Sequence, residues 1–203
     1  MANPRKDMRF FKLSCMGDPD DDNLCFLDNF LDEHEGLSAR AALGRRFGKD
    51  YPKDAKLFMN RENPGIKLSP LLGNSRNMIV GSRDFKEALE KHCTNQIEYL
   101  PFTLYDHRKR VHSRDYFIIN PIGTFDCLDF KESVIKWDDE APDEIISIHK
   151  TVLDRKKMKD APQFFRIDRA PTAYVVGLEV AREFKARNFS NIFWAELPLS
   201  SGK

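Results

Sequence analysis

Apolar residues in the second half of the chain occur in short runs that end at turn-forming residues, and this pattern limits the fold most strongly. The runs of strand type cover residues 97–105, 115–120, 145–153, 164–167, 173–176 and 192–197. Two stretches have helical spacing instead, residues 83–92 and 178–187. Because these strands and helices do not alternate strictly, the sequence predicts an α+β fold with a mainly antiparallel sheet and a few flanking helices.

The first half of the chain shows weaker signals of the same kind. A short strand is predicted at residues 9–15 and a helix at 37–47. Turn-forming residues make 59–77 an irregular connector with one short strand. Ser82 is expected to cap the helix at its start, and Asn188 is expected to end the last helix in the left-handed conformation.

Length, charge and cysteine spacing narrow the class of protein. A chain of 203 residues suits one globular domain. With 33 Lys and Arg against 32 Asp and Glu, there is no overall attraction to nucleic acid or to an anionic membrane. No run has the apolar length of a membrane span or a signal peptide, so we expect a cytoplasmic protein. The four widely spaced cysteines fit reduced, mostly buried thiols better than a disulfide framework.

The near-zero net charge hides blocks of one sign. Residues 18–35 carry eight acidic side chains and no Lys or Arg, and residues 36–56 carry six basic side chains against two acidic ones. Such blocks produce local fields that steer a complementary protein partner and contribute to specificity. Ordinary solvated surface is the alternative, and for any single block we consider it the better explanation.

Asp18, Asp20 and Asp22 have the spacing of the first oxygen ligands in an EF-hand calcium loop. The match then fails, because Asn23 replaces the turn glycine and Asn29 replaces the closing glutamate. The five histidines likewise lack the closely spaced ligand pairs of a zinc site. Since the glycine-rich nucleotide-binding loops are also missing, the sequence predicts no metal and no other cofactor.

Cys127 is the strongest candidate for a catalytic residue. As a thiol nucleophile it would need a base, which His107 or His112 could supply, and an acid to orient that base. The flanking carboxylates, however, raise the pKa of the thiol, and no oxyanion-binding turn follows it. We favour a structural corner, in which Asp126 and Asp129 bond to backbone amides beside a buried Cys127.

Several segments, taken in order, resemble immunity-protein family eleven of bacterial polymorphic toxin systems. The most specific are Tyr116-Phe117-Ile118-Ile119-Asn120-Pro121 and Asp126-Cys127-Leu128-Asp129. Further on, residues 164–167 resemble the family's Phe-Arg strand, and residues 173–197 resemble its closing strand, helix and strand. The family's hairpin usually has a glycine at its tip, where this chain has Lys109.

The resemblance covers residues 97–199 and implies a binding protein that neutralises a cognate toxin by direct contact. Such a protein works in the cytoplasm of the producing cell during interbacterial competition, for example through type VI secretion. We expect residues 96–203 to form the family core and residues 1–95 a more variable part packed on it in one compact domain. The structural motif of that core would contain Asn120, Asp126, Cys127 and Asp129.

We predict that the toxin binds the acidic block, because the basic cleft of a toxin that acts on nucleic acid would accept an acidic plug. The predicted contact residues are Asp18, Asp20, Asp21, Asp22, Asp32 and Glu33. One alternative is a thiol-dependent hydrolase, or an enzyme that reverses the toxin's modification, using Cys127 with His107 or His112. Another is an adaptor or chaperone that loads the toxin. The sequence indicates no oligomeric state.

Overall fold

The computed structural model of the chain describes residues 7–30 and 37–201. Within these ranges it has the helices α1 (Leu37–Ala42), α2 (Arg83–His92) and α3 (Leu178–Ala186). The strands are β1 (Phe10–Leu13), β2 (Phe26–Phe30), β3 (Lys56–Met59), β4 (Leu71–Asn74), β5 (Ile79–Ser82), β6 (Ile97–Pro101), β7 (Thr103–Tyr105), β8 (Val111–Ser113), β9 (Tyr116–Pro121), β10 (Val134–Trp137), β11 (Ile145–Lys150), β12 (Phe164–Ile167), β13 (Ala170–Gly177) and β14 (Trp194–Leu197). The predicted α+β class is confirmed.

The larger sheet has eight strands in the order β6-β9-β5-β4-β2-β3-β7-β8. Neighbours are antiparallel except for two parallel pairs, β2 with β4 and β3 with β7. The four strands from before residue 95 lie together in the middle of this sheet, between two pairs of strands from after it, so the two parts of the chain share one hydrogen-bonded sheet. A core cluster on this sheet includes Leu27, Leu57 and Leu104, one residue from each of three adjacent strands.

The smaller sheet has four antiparallel strands in the order β12-β13-β1-β14, which places the first strand of the described chain between two of the last. Phe11 and Leu13 of β1 face one core cluster, and Phe10, on the other face, packs in another. Core clusters on both faces account for three buried apolar residues in this four-residue strand, and Lys12 is its exposed residue. β10 and β11 form a separate two-stranded ribbon.

Helix α2 packs on β5 and β9 of the larger sheet, α3 packs on β13 and β1 of the smaller sheet, and the two helices pack against each other. The rings of Phe85 and Phe184 meet with centroids 4.5 Å apart, inside a core cluster that also holds side chains of β1, β5, β9 and β13. The predicted cap of α2 is confirmed, because the Ser82 hydroxyl accepts a hydrogen bond from the Phe85 amide at 3.2 Å. The predicted end of α3 is confirmed as well, with Asn188 at φ 53°.

Several boundaries differ from the predicted ones. The strand expected at 97–105 is two strands separated at Phe102, since β6 pairs with β9 whereas β7 pairs with β3. The helix expected at 37–47 ends at Ala42, and Gly44 follows it with φ +69°. The sequence signal also missed β2, β3, β5, β8 and β10. These strands are short, and several carry charged residues, so their partners rather than their own apolar pattern define them.

Candidate partner-binding surface

The corner at residues 126–129 closes around Cys127. This side chain is fully buried, at 0% exposure, and packs in the cluster of Leu128, Leu153 and Phe165. Burial, together with the negative charge of Asp126, raises the pKa of the Cys127 thiol to about 12. The thiol is therefore protonated at neutral pH and is a poor nucleophile in this conformation.

The two aspartates of the corner hold backbone and side-chain partners. Asp129 Oδ1 accepts hydrogen bonds from the amides of Lys131 at 2.9 Å and Glu132 at 3.0 Å. The bond from the Glu132 amide is the main reason that the pKa of Asp129 lies below its usual value. Asp126 instead forms an ion pair with Lys157 at 2.7 Å, and no amide donates to it among the described residues. The expected bonds to backbone amides are therefore found at Asp129 and not at Asp126.

Neither histidine proposed as a base lies at this corner. His107 and His112 belong to the β7–β8 hairpin at one edge of the eight-stranded sheet, whereas Cys127 packs against the four-stranded sheet. His112 Nε2 is 3.2 Å from the carbonyl oxygen of Ile66. His107 Nε2 is buried and has no hydrogen-bond partner among the described residues. Cys127 therefore does not form a thiol–imidazole pair with His107 or His112 in this structure.

Asn120 belongs to a buried polar network that the sequence reasoning missed. Arg166 is 1% exposed, and its guanidinium donates to the carbonyl oxygens of Ala41, Ala42, Pro121 and Pro171. It also donates to Asn120 Oδ1 at 3.2 Å and lies 4.2 Å from the ring centroid of Tyr174. Asn120 in turn donates to a carboxylate oxygen of Glu98 at 3.2 Å. A lone arginine inside the apolar strand Phe164–Ile167 was the available signal.

In the acidic loop, residues 18–23, some carboxylates shape the backbone and others are exposed. Asp18 Oδ1 accepts a hydrogen bond from the Asp20 amide at 3.0 Å, and Asp21 binds the Asn23 amide at 3.1 Å and the Lys67 ammonium at 3.2 Å. The side chains of Asp20 and Asp22 are exposed. Within residues 7–30 and 37–201 no hydrogen bond or ion pair engages either of these two carboxylates. The other predicted contact residues, Asp32 and Glu33, lie outside the described residues.

This loop is joined to two others, and we call residues 18–24, 60–67 and 106–112 together the loop face. The first and second loops share a hydrogen bond from the Lys67 amide to the Asn23 carbonyl at 2.8 Å. Gly65 lies so close to the first loop that a Cβ atom there would be 2.2 Å from the Leu24 carbonyl oxygen. The contact between His112 and the Ile66 carbonyl joins the third loop to the second.

Three cavities lie along the loop face, and two of them meet at Glu62. One, of about 420 Å³, is bordered by Asp18, Asp21, Asp22, Glu62 and Pro64. The other, of about 350 Å³, is bordered by Asn60, Arg61, Glu62, Asp106, His107 and Lys109. Because Glu62 borders both, the cavities are neighbours. One is lined by acidic groups and the other by groups of both signs.

The hairpin tip places Lys109 where the resembled family usually has glycine. Lys109 has φ +59°, and its amide donates to the Asp106 carbonyl at 2.9 Å. The Asp106 carboxylate accepts from the amides of Arg108 and Arg110 and pairs with the Arg110 guanidinium at 2.8 Å. The turn therefore keeps a conformation suited to glycine while presenting basic side chains.

Further features bear on cofactors and location. Within residues 7–30 and 37–201, no three or more His, Cys, Asp and Glu side chains group in a way that could hold a metal ion. None of the described helices is long and apolar enough to cross a membrane.

The four cysteines are free thiols, as their spacing predicted, with Cys15, Cys25 and Cys127 buried and Cys93 half-buried.

A known protein family matches most of this chain. The model of the Immunity protein family (Imm11) matches residues 14–197. The match includes the strands β2 to β5 and the acidic loop, beyond the 97–199 on which the resemblance rested. No protein in the curated collection matches this chain.

Proposed function

The chain belongs to the immunity protein family Imm11, and from this membership we propose that it binds a cognate bacterial toxin and neutralises it by direct protein–protein contact. The family match over residues 14–197 carries the proposal. We place the protein in the cytoplasm of the producing cell, as the partner of a toxin used in interbacterial competition. On this proposal the protein is a binder rather than an enzyme, and the buried, protonated Cys127 accords with that.

We propose that the acidic loop contacts the toxin and occludes its active site. Asp20 and Asp22 support this role, because their exposed carboxylates hold no contact within the described residues. Asp18 and Asp21 contribute charge to the same surface, although they also shape the loop. A negatively charged surface of this kind binds a basic cleft and speeds association with it.

The test uses the C-terminal domain encoded by the neighbouring toxin gene, co-expressed with this protein. Wild-type protein should bind that domain in a pull-down and restore growth of cells that express it. Reversing charge at Asp20→Lys and Asp22→Lys should weaken binding about tenfold or more, without changing the fold, because neither carboxylate supports the loop. Asp139→Lys, an exposed position in the turn of the β10–β11 ribbon, is the matched control.

The outcomes separate the two parts of the proposal. If wild-type protein neither binds nor protects against the domain, the immunity function toward this partner is wrong. If it protects and the double reversal protects equally, the acidic loop is not the contact. If it binds but leaves the toxin active, a loading role replaces neutralisation.

A further inference from the structure

The loop face carries two poles of opposite charge. Asp20 and Asp22 lie at one end, and Arg61, Arg108 and Lys109 lie at the other, all with exposed side chains. No ion pair within the described residues engages these three basic side chains. The acidic cavity borders the first pole and the mixed cavity borders the second. Charged groups that are left without a partner in the free protein are available to a partner of complementary charge.

Between the poles lies an exposed apolar side chain. Ile66 is 54% exposed, although its loop is fastened on both sides, by Gly65 against Leu24 and by the Ile66 carbonyl against His112. A rigid loop that presents an aliphatic side chain between charged groups has the composition of a binding interface, with an apolar centre and a polar rim. The loop face therefore combines an apolar contact residue, Ile66, with charged side chains of both signs.

The mixed cavity suits a carboxylate. Arg61, Lys109 and Asn60 supply donors around it, and His107 borders it with an Nε2 atom that has no partner among the described residues. The Asp106 carboxylate competes little, because Arg110 and two backbone amides already occupy it. Glu62 marks the border with the acidic cavity and is the remaining negative group. A small anionic side chain would accept hydrogen bonds from Arg61, Lys109 and Asn60 in this cavity.

We infer that the loop face is the toxin-binding surface and that it takes a bipolar partner. A basic side chain of the toxin enters the acidic cavity, and an Asp or Glu of the toxin enters the mixed cavity between Arg61 and Lys109. An apolar toxin side chain covers Ile66. This inference rests on the proposed function and assigns to the partner a second contact, of opposite sign to the first.

The test is a double charge reversal at the basic pole, Arg108→Glu with Lys109→Glu, measured by binding to the C-terminal domain of the neighbouring toxin gene product. A bipolar partner should bind this variant at least roughly tenfold more weakly than wild type. A toxin that recognises only negative charge should bind it as tightly or more tightly. The sign of the change therefore distinguishes a bipolar contact from an acidic plug.

Two further variants show whether a loss of binding is specific to the loop face. Lys185→Glu, an exposed position on α3, is the matched control and should leave binding unchanged. Ile66→Ser should weaken binding without lowering thermal stability, because the side chain is exposed. If wild type binds and the double variant Arg108→Glu with Lys109→Glu retains full affinity, the inference is overturned while the proposed function stands. If wild type fails to bind this domain, the proposed function fails first.

Discussion

Two aspartate-rich turns of this molecule, the corner at 126–129 and the acidic loop at 18–23, use the same local chemistry. In the corner, Asp129 accepts hydrogen bonds from the amides that follow it in the chain. In the loop, Asp18 accepts a hydrogen bond from the Asp20 amide in the same way. Both are Asx turns, in which a short carboxylate side chain replaces a backbone acceptor.

The turns differ in what surrounds them. The corner covers a fully buried Cys127, and backbone bonds from Phe125 to Arg166 and from Asp129 to Val152 fasten it to the core. The loop leaves Asp20 and Asp22 exposed beside a cavity. An aspartate-rich motif is therefore structural or available for binding according to how many of its carboxylates are already occupied, and residue type alone does not decide this.

The largest loss of stability is expected on replacing Arg166, the buried arginine whose carbonyl accepts a hydrogen bond from the Phe125 amide next to the corner. Arg166→Leu removes the donor to four carbonyls, one of which belongs to Pro121, five residues before the corner. Buried acceptors without donors are costly, so we expect a loss of about 3–5 kcal/mol in the free energy of unfolding. Urea denaturation measures it.

The control for this change is Arg182→Leu, whose guanidinium is 57% exposed and pairs only at the surface. It should cost about 1 kcal/mol or less. Equal losses for the two variants would mean that the buried network contributes nothing special to the fold.

Cys127→Ser tests whether the corner is structural or catalytic. A serine hydroxyl in the apolar site of a fully buried thiol should cost about 1–3 kcal/mol of stability, and toxin neutralisation should survive below the lowered melting temperature. Cys93→Ser, at a half-buried position, should cost less. Complete loss of neutralisation by Cys127→Ser in folded protein would instead support a thiol-dependent activity.

A matched pair of alanine substitutions compares the two turns directly. Asp129→Ala removes an acceptor of two amide hydrogen bonds and should lower the melting temperature by about 2–4 °C, whereas Asp22→Ala should change it by about 1 °C or less.

The effect of Asp129 should also depend on pH. Because the pKa of Asp129 is lowered in the folded protein, its contribution is present above the usual carboxyl pKa and is lost as the pH falls through the lowered value. Thermal scans from neutral to acidic pH should thus show the wild type approaching Asp129→Ala. A constant difference between them at all pH values would contradict this assignment.

Sequence reasoning succeeded where one segment contains its own structural signal. Helix α2 has a capping serine at Ser82 and an apolar face, and α3 ends at an asparagine in the left-handed conformation. β12 is a short apolar run with one polar residue, Arg166. Each of these elements is determined by contacts over a few residues, and the period of their apolar side chains reports on them directly.

It failed where structure depends on distant partners. β2 and β3 lie between strands that follow them in the chain, and their register comes from pairing rather than from their own residues. The acceptors of Arg166 are up to 125 residues away, so no local pattern announces them. The acidic loop was recognised as charged, but its contact with residues 60–67, and their contact with the hairpin, depend on strands that pair across the eight-stranded sheet.

The smallest stability change, and the one that separates stability from binding on the loop face, is Lys109→Gly. Lys109 is held at φ +59°, which costs a lysine more than a glycine, so the variant should gain about 0.5–1 kcal/mol in the free energy of unfolding. It also removes one cation from the basic pole, so toxin binding should weaken a few-fold while stability rises. Lys109→Gln is the control, since it removes the charge without glycine's backbone freedom and should weaken binding without a gain in stability. If both variants bind the toxin domain as tightly as wild type, Lys109 does not contact the toxin, and the hairpin tip has only a structural role, like the corner at 126–129.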